Sequence, residues 1–137
     1  MTKIVDLREL YKPTSKQIEA HTAVERFILY GGAVGGGKSA WLVNEGIKLS
    51  LNYPGNVGYL CRHELTSFRR TTLMTLERFL SPDIIAQHHQ TESYFRFING
   101  SLIYYGGLGD DEKGLDRLKS MDLGWFGIDQ AEESRLG

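Results

Sequence analysis

The chain has a single cysteine, three prolines and no excess of either charge: 16 Lys and Arg stand against 17 Asp and Glu, a net charge of −1. Each shortage removes a class of explanation. One cysteine, Cys61, closes no disulfide within the chain, and its place in an apolar run suits a core thiol in a reducing cytoplasm. Balanced charge gives no whole-chain argument for binding nucleic acid, although it leaves room for a local basic face. No apolar stretch approaches the roughly 20 residues of a membrane span, and the charged start Met1-Thr-Lys-Ile-Val-Asp6 is no secretory signal. The histidines make no metal site: His88 and His89 are adjacent and face different ways in regular structure, and Cys61 and His63 lack partners. Repeats and low-complexity segments are absent. What remains is 137 residues, 41% hydrophobic and 24% charged, which is the profile of one ordinary globular domain with a real core.

Glycine is not scarce, and its placement is informative. Residues 32–39 read Gly-Ala-Val-Gly-Gly-Gly-Lys-Ser, directly after the apolar run Phe27-Ile28-Leu29-Tyr30. This is the GxxxxGK[ST] phosphate loop (Walker A) in its required strand–loop–helix setting. A triphosphate has to be wrapped closely by backbone N–H groups. Gly32, Gly35, Gly36 and Gly37 have no Cβ to obstruct that approach, and Ala33 and Val34 complete the loop. The helix that begins near Lys38 aims its unpaired N–H groups at the same anion. Lys38 would reach the β- and γ-phosphates, and the Ser39 hydroxyl would hold Mg²⁺. A glycine-rich chain shows the bare pattern by chance in about one case in a hundred, so the correct flanks decide for a nucleotide, ATP or a relative, with Mg²⁺.

The remaining patterns place this loop in an α/β domain. Pro13-Thr14-Ser15-Lys16-Gln17 suits a helix start, with Thr14 as N-cap and Gln17 at the third helical position. A strand over 27–31 feeds the phosphate loop. In the helix that follows, Ala40, Val43, Ile47 and Leu51 share one face, and Asn52-Tyr-Pro-Gly-Asn56 ends it. Val57–Cys61 reads as a buried strand. Residues 65–80 read as a helix with Leu65, Phe68, Leu76 and Leu80 inward and Arg69, Arg70 and Glu77 outward. Tyr94–Ile98 and Leu102–Tyr105 are strands joined through Asn99-Gly100, a strong hairpin signal. The aromatics of this hairpin, with Arg96 among them, could stack bases, but hairpin packing alone favours them. Residues 106–118 read as a loop, and Leu123–Ile128 as an apolar strand running into Asp129. Strands alternating with helices predict a three-layer α/β core with a mostly parallel sheet and an antiparallel hairpin addition.

Asp129 fits the second requirement of a phosphate loop, a carboxylate at the end of a neighbouring strand that supports Mg²⁺ (Walker B). It also fits a D-x-x-E capping box with Glu132, and the phosphate loop upstream tips the balance to metal. Hydrolysis further needs a group that orients or deprotonates water. Many such ATPases place a Glu directly after the Walker B Asp; here the residue is Gln130. Three alternatives stand: Gln130 polarises the water, Glu132 or Glu133 acts as base, or the site binds ATP and hydrolyses it poorly. Glu132 and Glu133 also suit the first turn of a helix as plain complements to its dipole.

The order Tyr30-Gly-Gly-Ala-Val-Gly-Gly-Gly-Lys-Ser39, Tyr59-Leu-Cys-Arg62, Phe97-Ile-Asn-Gly-Ser-Leu-Ile103 and Gly127-Ile-Asp-Gln-Ala-Glu-Glu133 resembles the N-terminal ATPase region of the tailed-bacteriophage terminase large subunit. That protein is the motor that packages viral DNA. The resemblance covers nearly the whole chain. It implies ATP and Mg²⁺ as cofactors, and double-stranded DNA, the portal and the small terminase subunit as partners. It also implies homo-oligomerisation in the complete motor, no membrane association, and the host cytoplasm as location. It assigns residues 1–26 to an adenine-side segment, in which Tyr11, Pro13 and Gln17 resemble the purine-reading residues, and 27–137 to the phosphate-loop core. Gln17 serves equally in the capping box. Arg62 matches an arginine ending the second strand, and is as readily a solvated strand-end charge. Several terminases carry an arginine within the phosphate loop; here Val34 leaves that role open, and Arg117 is the candidate that remains, acting on a neighbouring subunit's ATP. Exposed loop arginines are more often merely solvated.

The complete family pattern continues past Walker B with a further central strand, a coupling motif and a nuclease domain. The present sequence ends eight residues after Asp129. The resemblance therefore implies a partial ATPase domain without its nuclease, prone to expose strand edges when isolated. Other readings are a different nucleic-acid-directed phosphate-loop ATPase, such as a helicase-like protein, and a non-catalytic nucleotide-binding or assembly module.

Overall fold

Helix α1 (Lys38–Asn52) opens the described part of the chain; the computed structural model describes residues 37–107 and 121–130. Its predicted apolar face is the buried one. Val43 and Ile47 are fully buried, and Ala40 and Leu51 pack against the same core. The helix stops where Asn52-Tyr53-Pro54-Gly55 cannot continue it, and its last carbonyls are then satisfied from elsewhere in the chain. The Asn99 amide donates to Ser50 O at 2.8 Å, the Ser101 hydroxyl to Ser50 O at 2.7 Å, and the Asn56 amide to Leu49 O at 3.2 Å. A turn remote in sequence thus caps α1 and fixes the direction in which its opposite end points.

Strand β1 (Val57–Arg62) is followed by a helix in three stretches: α2 (Leu65–Ser67), a π-helical turn (Phe68–Thr72) and α3 (Leu73–Phe79). The sequence predicts one uniform helix over 65–80. Phe68 and Leu76 are fully buried as expected, but the π turn between them is not encoded by the apolar spacing. Strands β2 (Ile85–His89), β3 (Tyr94–Phe97), β4 (Leu102–Gly107) and β5 (Trp125–Ile128) complete a five-stranded sheet of order β2-β3-β4-β1-β5. β1 is parallel to both β4 and β5, while β3 runs antiparallel to its neighbours β2 and β4. Four strands therefore point one way, and the mostly parallel α/β reading holds. The hairpin also stands where it was expected. Gly100 takes φ 86°, the left-handed region that its turn demands, and β4 runs on to Gly107, into the stretch read as loop.

The sheet is covered on both faces. Leu60, Phe95, Phe97, Ile103 and Tyr105 meet the helices in the main core, while Tyr59 and Cys61 face the other way among Tyr104, Met121, Leu123 and Ile128. Cys61 is wholly buried, and burial pushes its thiol up to about 12, so it is an inert core residue as its apolar setting suggests. Among the described residues no helix is long and apolar enough to cross a membrane. The strand at 27–31, the helix start at 14–17 and most of the loop at 106–118 lie outside the described residues.

β2 has no apolar alternation and was not anticipated. Its pairing to β3 supplies what its own sequence lacks. His88 lies opposite Phe95 and stacks on it at 3.9 Å, and His89 lies opposite Tyr94 and stacks at 5.0 Å. His88 Nε2 is 2.7 Å from the Tyr105 hydroxyl. Burial lowers the His88 pKa below 6.5, against a smaller opposing effect of Glu77, and burial likewise raises that of Tyr105. Both shifts favour the neutral pair, in which the phenol donates to the imidazole. Because the folded His88 pKa is depressed, the unfolded chain takes up the proton first. Stability is then complete above pH 6.5 and falls as pH drops from 6.5 toward the folded value. Thermal melts between pH 7.5 and 5.5 should show this slope, and His88→Phe should flatten it.

Candidate functional site

The carboxyl ends of the parallel strands and the start of α1 meet at one edge of the sheet, where ligands of open α/β folds commonly bind. Gly37 precedes the helix with φ 75° and ψ 21°, a left-handed residue that turns the chain into α1. The Trp41 N–H donates to Gly37 O at 2.9 Å, the first bond of the helix. Among the described residues no side chain caps this end and no acid sits in its first turn, so the positive end of the helix dipole meets no negative charge from its own first turn.

Asp129 follows β5 and extends its ladder by one bond, its N–H donating to Cys61 O at 2.8 Å. Its side chain is only 4% exposed. The Ser39 hydroxyl lies 3.0 Å from Oδ1 and 2.9 Å from Oδ2, although the two residues are 90 positions apart. The Thr72 hydroxyl donates to Oδ2 at 2.7 Å. The close approach of α1 to β5 that makes this possible depends on small residues. A Cβ on Gly127 would lie 2.9 Å from Leu42 Cδ1, and one on Gly46 2.6 Å from the Trp125 ring.

A buried carboxylate whose described partners are hydroxyls is the kind of group that a cation neutralises. The spacing of the oxygens suits Mg²⁺: two adjacent ligands of an octahedron with bonds near 2.05 Å are about 2.9 Å apart. A Mg²⁺ ion commonly uses one or two carboxylates and takes its other ligands from phosphate and water. The residues present therefore fit Mg²⁺.

Gln130, next in the chain, has φ 54°. A left-handed backbone is uncommon for glutamine and marks a turn directly after the strand end. Arg62 ends β1 at the same edge, and its guanidinium donates to the Thr71 hydroxyl in the π turn. Of the residues singled out from sequence, Gly37, Lys38, Ser39, Asp129 and Gln130 are placed at this edge. Gln17, Gly32, Ala33, Val34, Gly35, Gly36, Arg117, Glu132 and Glu133 lie outside the described residues. Thr72 was missed. Its one signal was an inward position, four residues after Phe68 and four before Leu76, filled by a polar side chain.

No family model and no curated protein matches the sequence. Among solved structures the chain is similar to the large terminase from the thermophilic bacteriophage D6E in two crystal forms. For crystal form 2 the TM-score is 0.75 at 18% identity, over 88% of this chain and 33% of that one. For crystal form 3 it is 0.56 at 14% identity, over 84% and 37%. The chain thus spans about a third of the length of that terminase. At such identity the likeness is one of architecture, and the protein has a large-terminase-like α/β fold: a parallel sheet core extended by antiparallel strands.

Proposed function

We propose that this chain is the ATP-binding and ATP-hydrolysing module of a bacteriophage DNA-packaging motor. The observation that carries the reading is the Ser39–Asp129 contact: a hydroxyl from a helix start and a carboxylate from a strand end, where Ser39 is the last residue of a phosphate-loop sequence. The terminase-like fold supports the choice among phosphate-loop proteins. Residues 32–37 would wrap the phosphates, Lys38 would reach the β- and γ-phosphates, and Ser39 and Asp129 would hold Mg²⁺. Held by Ser39 and Asp129, Mg²⁺ would supply positive charge that offsets the charge on the transferring phosphoryl group. Gln130, Glu132 or Glu133 would orient the attacking water, Gln17 would read the adenine, and Arg117 would serve a neighbouring subunit's ATP. Double-stranded DNA, the portal and the small terminase subunit are the partners this reading assigns to the assembled motor.

The test is ATP binding and turnover with Mg²⁺ titrated. Lys38→Ala should weaken MgATP binding and lower turnover by roughly 10²-fold, as loss of a group on the transferring phosphates does. Turnover equal to wild type in Lys38→Ala would sink the proposal. A non-catalytic nucleotide-binding module is the second reading, favoured by one observation: the position after Asp129 holds a glutamine in a left-handed turn rather than a glutamate. Tight MgATP binding with no phosphate release would decide for it.

A further inference from the structure

The hydroxyl of Thr72 does not behave like those of its neighbours. A threonine inside a helix usually donates back to the carbonyl four residues earlier. Thr71 does so, to Ser67 O at 2.8 Å, and so does Thr75, to Thr71 O at 3.1 Å. Thr72, which is fully buried, instead spends its hydroxyl on Asp129 Oδ2 at 2.7 Å. Among the described residues this is the shortest hydrogen bond the carboxylate makes, and it is one-sided. Ser39 sits at nearly equal distance from both oxygens and cannot choose between them. The Thr72 bond breaks that symmetry: it occupies Oδ2 and leaves Oδ1 beside the Ser39 hydroxyl.

We propose that Thr72 is a positioning residue for the metal-holding carboxylate, fixing its rotation so that Oδ1 and the Ser39 hydroxyl form the metal's protein edge. The π turn delivers it there. The same turn is held to the end of β1 by the Arg62–Thr71 bond, so its two consecutive threonines tie it to two strand ends at once. Isolated π turns inside helices are frequent at functional sites, and partners of metal-holding groups commonly govern metal affinity. The inference rests on the reading of Ser39 and Asp129 as a Mg²⁺ site.

The test measures the Mg²⁺ midpoint for binding of a fluorescent ADP analogue to the 137-residue chain, alongside affinity for the analogue in EDTA. Wild type is compared with Thr72→Val, Thr72→Ala, Thr72→Ser and Asp129→Asn. Thr72→Val and Thr72→Ala are expected to raise the midpoint about tenfold with EDTA affinity unchanged, and Thr72→Ser to stay within about threefold of wild type. If Thr72→Val does not fold, the Ala and Ser variants isolate the same hydroxyl, since both lack the methyl group. Equal shifts in the Ala and Ser variants, or no shift in either hydroxyl-free variant while Asp129→Asn shifts strongly, would overturn the positioning role and leave the metal site standing. A wild-type midpoint in Asp129→Asn would overturn the metal site itself, and the inference with it.

Discussion

Asp129→Ala is expected to lower Mg²⁺-dependent ATP turnover by roughly 10²- to 10³-fold, the scale on which loss of one preorganised charge-stabilising group is felt. Two losses combine. On the proposed function the Mg²⁺ loses its carboxylate, and the Ser39 and Thr72 hydroxyls lose the acceptor that orients them. Leaving the buried Thr72 hydroxyl without a partner costs about 1–3 kcal/mol, so the alanine variant should also melt earlier. Asp129→Asn separates the two effects. Its amide oxygen still accepts from hydroxyls while the charge is gone, so its melting temperature should stay near wild type as its turnover falls with that of the alanine variant. Phosphate release and thermal melts on the three proteins check this, and full turnover in Asp129→Asn would remove the carboxylate from the chemistry.

Gly58→Ala should be the most damaging single-methyl addition in the sheet. Gly58 lies opposite Trp125 across the β1–β5 ladder, and the indole lies over it. A Cβ there would stand 1.8 Å from Trp125 Cε2 and 2.2 Å from both Cζ2 and Nε1. The ring has little room to retreat, because Gly46 on α1 meets its other edge. Overpacking of this severity costs about 3 kcal/mol or more, or a melting temperature lower by about 10 °C. Gly55→Ala is the control. Nothing lies within 4 Å of a Cβ there, and only its φ of 76° resists the change, so about 1 kcal/mol is expected. Equal melts for the two variants would show that Trp125 does not wedge α1 against β1.

The parts of this architecture that sequence reveals are those where one residue's environment is repeated along an element. β1 is legible as a short, nearly continuous apolar run, the inward face of α1 because apolar residues recur at the helical period, and the hairpin because Asn99-Gly100 names its turn. Asp129 is legible because an apolar run ends on it. β2 is not, because an edge strand of mixed polarity draws its stability from stacking of His88 and His89 on residues of another strand. The π turn is hidden for a related reason: apolar spacing reports which way Phe68 and Leu76 face, not the hydrogen-bond register between them. Thr72 was invisible because its partner lies 57 residues away, and a polar residue on an inward face reads as a blemish until that partner is known.

The 90-residue interval between Ser39 and Asp129 also bears on when the site comes into being. β1 takes its neighbours from far along the chain, with Val57 opposite Leu102 and Gly58 opposite Trp125. Contacts of such sequence separation close slowly, since loop entropy has to be lost before they form. During synthesis the helix start carrying Ser39 leaves the ribosome long before its carboxylate partner exists. On the proposed function, metal-dependent nucleotide binding should accordingly be among the last properties a nascent chain acquires, appearing only once β5 has docked on β1.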